Sequence, residues 1–169
     1  MEKIIEKISR YHLINTFIPG VLFVYLSQRI IHVQILTKEI AFDFFLIYTI
    51  GMVCNRIGSL IVEPLLKGIK VISFCEYNKY IEAERLDIKL SELNTDNNFY
   101  RSVIGTCLFV AFLLGFKWLK DYFSFIAKYN EAIILILCFL LFVLSYRKQS
   151  NYIKQRVENN IKVKKNKLE

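Results

Sequence analysis

Asn55, Arg56, Ser59 and Glu63 are polar residues set inside an otherwise apolar run, GMVCNRIGSLIVEPLLK, from Gly51 to Lys67. On a helix advancing 100° per residue, Gly51, Asn55, Ser59 and Glu63 recur every four positions and Arg56 lies about 20° from Glu63. Small and polar groups therefore share one side, and Val53, Ile57, Leu60 and Ile61 take the other. An ionised side chain at bilayer depth costs roughly 2.5–3.5 kcal/mol on insertion scales, so Arg56 needs a partner. Glu63, two turns on, is the nearest candidate, within its own helix or across two subunits. Asn55 and Ser59 can add hydrogen bonds between helices. Two roles fit this polar seam, a packing clamp or the lining of a pore or gate. Pro64 is expected to end the helix.

A second constellation lies in the C-terminal tail. Arg147, Lys148, Lys154, Arg156, Lys162, Lys164, Lys165 and Lys167 alternate with Tyr146 and Tyr152. Such a mixture can grip phosphates and stack bases, and Arg147, Lys148, Tyr152, Lys154 and Arg156 are the candidate ligand-binding face. Juxtamembrane lysines also satisfy the orientation rule and attract acidic lipid without any nucleic acid. Pro19-Gly20 is a third feature, a packing bend or a hinge that lets its helix move. No catalytic signature is present: H-E-x-x-H, G-x-S-x-G and G-x-x-x-x-G-K-[ST] are all missing, and the carboxylates do not pair. Cys54, Cys75, Cys107 and Cys138 form no C-x-x-C pair and there is no His cluster, so no metal, cofactor or disulfide framework is expected. His12 and His32 read as polar ends at the two interfaces.

The elements that carry these residues follow from composition. The 169 residues are 54% hydrophobic and 15% aromatic, with a net charge of +8 and a mean hydropathy of +0.36. That is an integral membrane protein large enough for one helical bundle. The fold class is all-α and polytopic, with four transmembrane helices and cytoplasmic helical extensions. Residues 1–11 form an amphipathic entry with Ile4, Ile5 and Ile8 on one side, and they lack the cleavage pattern of a signal peptide. Residues 12–66 hold the first two spans, His12 to about His32 and Ile40 to about Leu66. Residues 67–101 form a cytoplasmic helical segment in which Tyr77, Tyr80, Ile81 and Glu84 share a face, and Asn94–Asn98 read as a loop. Residues 102–146 hold the third and fourth spans. The third, Ser102 to Leu119, is expected to face lipid and pack through Gly105 and Gly115. Lys117, Trp118, Lys120 and Tyr122 make an interfacial belt. The fourth, Ala132 to Tyr146, is short and continues into the basic tail, 147–169.

Of the 23 Lys and Arg, 17 fall in the two terminal segments and residues 64–101, against 5 in the two short connections. This bias puts both termini and the middle segment in the cytoplasm. Four helices of this size enclose too little interior for a pore, so a channel would need several copies around a symmetry axis.

The runs NTFIPGVLF, NRIGSLIVEPLLK, YNKYIEAERLD, NNFYR and SYRKQSNYIKQRV resemble those of small four-span membrane effectors encoded in bacterial antiphage defence loci. The chain most resembles effectors of the Hailong system, with membrane subunits of the Kiwa system as the second resemblance. The first implies a homotetrameric ion channel of the bacterial cytoplasmic (inner) membrane. It would be held shut by single-stranded DNA oligomers made by a nucleotidyltransferase encoded nearby, and opened on infection to abolish the membrane potential. The alternative is a membrane anchor or scaffold that recruits a cytosolic defence partner to residues 75–93 and the tail. The resemblance carries no ligand residues over to this chain.

Overall fold

The computed structural model describes residues 11, 13–87 and 89–165, with side chains to residue 161. The amphipathic entry, His12 and the far end of the tail lie outside these residues. The described residues are 87% helical, without a strand among them, and four of their helices are long and apolar enough to cross a membrane. Along the chain run α1 (Leu13–Ile31), α2 (Ile40–Gly68), α3 (Tyr77–Leu86), α4 (Lys89–Tyr122), α5 (Ser124–Lys128) and α6 (Asn130–Lys165).

Helices α1, α2 and α4 pack into one bundle, and missing side chains allow it. A Cβ added at Gly20 would strike the carbonyl of Ile47, and one at Gly51 the carbonyl of Thr16. Farther along α2, Gly58 meets the carbonyl of Arg101, and Gly105 of α4 meets that of Cys54. Small residues let backbones approach this closely where lipid gives no hydrophobic drive to helix association. Phe23, Val24, Ile31, Cys54 and Val110 fill the core beside this seam, with Phe23 stacked on Phe109 at 4.8 Å. The third span packs through Gly105 as expected, while Ile104, Leu108, Phe112 and Leu114 stay exposed on its outer side. Of its two glycines only Gly105 is in contact, since nothing lies within 4 Å of a Cβ at Gly115.

Two further expectations are corrected. Pro64 does not end α2, which runs on to Gly68. Each proline sits just after a π-helical turn, Leu13–Phe17 before Pro19 and Gly58–Val62 before Pro64. The wider turn has already displaced the hydrogen-bond register, so a residue without an N–H is absorbed without breaking the helix. Asn94–Asn98 are not a loop, because α4 begins at Lys89, where the Asp87 carboxylate accepts from the Lys89 N–H at 2.9 Å. Side chains that compete with helix elsewhere turn back onto it here. Thr95 donates to the Ser91 carbonyl, Ser102 to that of Asn98, and Thr106 to that of Ser102 at 3.0 Å.

Helix α6 stands apart. Only 6% of its apolar window is buried, against 44% for α1. It is one continuous helix through span and tail, so the short fourth core is extended by its flanks.

If the glycine contacts set the bundle, Gly51→Ala should lose about 1–3 kcal/mol through overpacking, while Gly115→Ala should stay within about 0.5 kcal/mol. Thermal unfolding in detergent compares them, and equal losses would argue against the seam.

A cation-rich cavity at the tail end of the bundle

The polar seam of α2 opens into a cavity of about 900 Å³ at the end of the bundle where α1 begins and the tail leaves. Its construction starts from the backbone. In the π turn the Glu63 N–H bonds the carbonyl of Gly58, five residues back. The next carbonyl, that of Ser59, would take its hydrogen bond from position 64, which is proline and has none to give. Lys148 of α6 supplies it instead, donating from Nζ to the Ser59 carbonyl at 2.6 Å. The π turn and Pro64 thereby create a docking point for the fourth span.

The same lysine reaches Glu63. This carboxylate is 7% exposed and meets three cations: Arg101 Nη1 of α4 at 2.8 Å, Lys67 Nζ at 3.2 Å and Lys148 Nζ at 3.4 Å. Arg101 also donates from Nη2 to Asn55 Oδ1 at 3.3 Å, while its Nε is buried without a partner among the described residues. Glu63 therefore ties α2 to α4 and α6. It does not pair with Arg56 within the helix: Arg56 is exposed, lines the cavity and forms no ion pair with a described residue. Two residues seven apart lie on one side of a helix but two turns distant, whereas Arg101 and Lys148 approach Glu63 sideways from neighbouring helices. Ser59 lines the cavity, and its backbone carbonyl holds Lys148.

The basic face of the tail divides. Lys148, Tyr152 and Arg156 recur every four residues on the side that meets the bundle, and Tyr152 and Arg156 line the cavity. Arg147 is exposed away from it. Lys154 is exposed too, near Glu158 at 3.9 Å. Helix α3 completes the wall: Tyr77 packs on Tyr152 with ring centroids 5.3 Å apart, Asn159 donates to the Asn78 carbonyl at 3.4 Å, and Arg85 donates to Asn160 Oδ1. Tyr80 donates to Glu84 at 3.2 Å. Burial, then the Glu84 charge, push its phenol up to about 12, so it stays a neutral donor. Pro19 and Gly20 lie in the bundle interior, where the Pro19 carbonyl accepts from Thr106 Oγ1 at 3.4 Å and Gly20 presses on Ile47.

Arg56, Lys67, Arg101 and Arg156 line this cavity with Glu63 as the only acid among the described residues that line it, and Tyr11, Tyr48, Tyr77, Tyr80 and Tyr152 line it too. One carboxylate cannot neutralise four cations, so the cavity favours an anion with a flat aromatic part. Arg101 and Lys67 were not among the sequence candidates; an arginine opening an apolar span was the available signal for the first. The four cysteines are free, and no group of three His, Cys, Asp or Glu side chains suited to a metal occurs among the described residues. Comparison with protein-family models, curated proteins and solved structures finds no match to this chain.

A double-mutant cycle on Glu63 and Arg101 should give about 1–3 kcal/mol of interaction energy. The cycle on Glu63 and Arg56 should give close to none. A large coupling for Arg56 in unfolding experiments would restore the pairing expected from the sequence.

Proposed function

We propose that this multi-pass membrane protein binds an anionic cytosolic ligand in the cation-rich cavity and passes its occupancy to α6, controlling an oligomeric ion channel. The observation that carries the reading is the charge imbalance: among the described residues, four basic side chains and five tyrosines around one acid, at the junction where Lys148 ties α6 to α2. Single-stranded DNA oligomers suit it chemically, since arginines bind phosphates and tyrosines stack bases. The resemblance to antiphage effectors supplies the rest of the reading: a homotetramer in the bacterial cytoplasmic membrane with both termini inside, depolarising the cell on infection, its ligand made by a neighbouring nucleotidyltransferase.

A scaffold is the second reading, and one feature favours it. Ile153, Val157 and Ile161 form an exposed apolar stripe on the tail, turned away from the cavity, that a cytosolic partner could cover.

The channel reading is tested with a voltage-sensitive dye and with labelled oligonucleotides. Affinity in detergent should fall linearly with salt on a log scale, with a slope near −0.7 per phosphate contact. Arg56→Gln and Arg156→Gln, which disrupt no ion pair among the described residues, should each lower the slope by about 0.7. Arg147→Gln and Lys154→Gln should leave it unchanged. No salt-dependent binding and no depolarisation under any trigger, with a partner still held at the membrane, would replace the channel by the scaffold.

A further inference from the structure

At the opposite end of the bundle a second cleft, of about 470 Å³, opens between the end of α1, the connection through Val33 and Ile35, the end of α4 and the start of α6. We propose that it binds one anionic phospholipid, with the phosphate at Lys117 and Lys120 and an acyl chain along Leu113, Phe116 and Ile134. The volume lies within the roughly 300–1,000 Å³ of ligand sites.

The lining is graded as an amphiphile is. Lys117, Lys120, Asp121 and Asn130 stand at the helix ends, and Leu113, Phe116 and Ile134 lie about one turn deeper. Trp118, packed on Tyr122 with centroids 4.8 Å apart, marks the headgroup level beside them. Lys117 is held in place by its bond to the Ile31 carbonyl at 3.2 Å, and Lys120 forms no ion pair among the described residues. Ser27 lines the cleft, 1% exposed, with a hydroxyl that has no hydrogen-bond partner among those residues. Two lysines against one aspartate select an anionic headgroup over a zwitterionic one. A second copy's spanning helix fits less well, since it would bring apolar surface to the level where the lysines stand.

The chain carries one tryptophan, Trp118, beside these lysines. In bilayers mixing phosphatidylcholine and phosphatidylglycerol, with one or the other brominated on its chains, brominated phosphatidylglycerol should quench Trp118 more strongly at equal mole fraction and saturate. Lys120→Gln should reduce that preference about fivefold, and Arg147→Gln, at the far end, should leave it intact. Equal quenching by both lipids, an unsaturable response, a preference unchanged in Lys120→Gln, or protection from both lipids that follows oligomer content would each overturn the proposal.

Discussion

The carboxylate of Glu63 is the constraint on which the other contacts depend. It is buried, and it is shared by cations from its own helix, from α4 and from α6. A buried charge with several partners tolerates the loss of none easily, because each removal leaves desolvated charge behind. Asn55 depends on it through Arg101, whose guanidinium it helps to orient. The position of α6 depends on it through Lys148, which divides its hydrogens between this carboxylate and the Ser59 carbonyl.

That arrangement needs a backbone irregularity at a set place. A regular helix would direct the Ser59 carbonyl into its own ladder, leaving Lys148 a carboxylate but no carbonyl. The π turn at Gly58–Val62 followed by Pro64 removes the internal donor, and the adjacent Gly58 lets the Arg101 backbone approach closely enough for its side chain to reach Glu63. Close packing and broken hydrogen bonding are thus concentrated in one turn of α2. Irregular backbone at membrane depth persists only where a neighbour satisfies the freed groups, and here the neighbour is a lysine.

Apolar run lengths made the four spans legible, and the four-residue recurrence of Asn55, Ser59 and Glu63 identified the side of α2 that lines the cavity. A helical projection reports shared sides and says nothing of which neighbour stands opposite, so it pairs Arg56 with a charge that belongs to Arg101. The same limit divided the tail: Arg147 and Lys148 are adjacent in sequence and indistinguishable in composition, yet only the second meets the bundle. Local propensity makes Pro64 a helix end and Asn94–Asn98 a loop, and tertiary context overrides both. A preceding π turn absorbed the proline, and hydroxyl-to-carbonyl bonds along α4 with burial of Asn98 and Ser102 carried the helix through the polar run.

On the proposed reading, the asymmetry of α6 would give the cavity its leverage. Spans α1, α2 and α4 are locked by glycine contacts, so a change in charge at Glu63 meets little compliance there. Helix α6 has few such contacts along its apolar length, and its ties lie at the cavity end through Lys148, Tyr152 and Asn159. A polyanion entering the cavity would compete with Glu63 for Lys148 and Arg101 while engaging Arg56 and Arg156, which have no ion-pair partner among the described residues to give up. In that reading, the gain at those two arginines would not be offset by a broken ion pair among the described residues, and the exchange at Lys148 would loosen or re-aim α6, whose apolar length is the least buried of the four spans. On the proposed reading, that coupling lets a cytosolic anion act on a membrane helix without rearranging the bundle beside it.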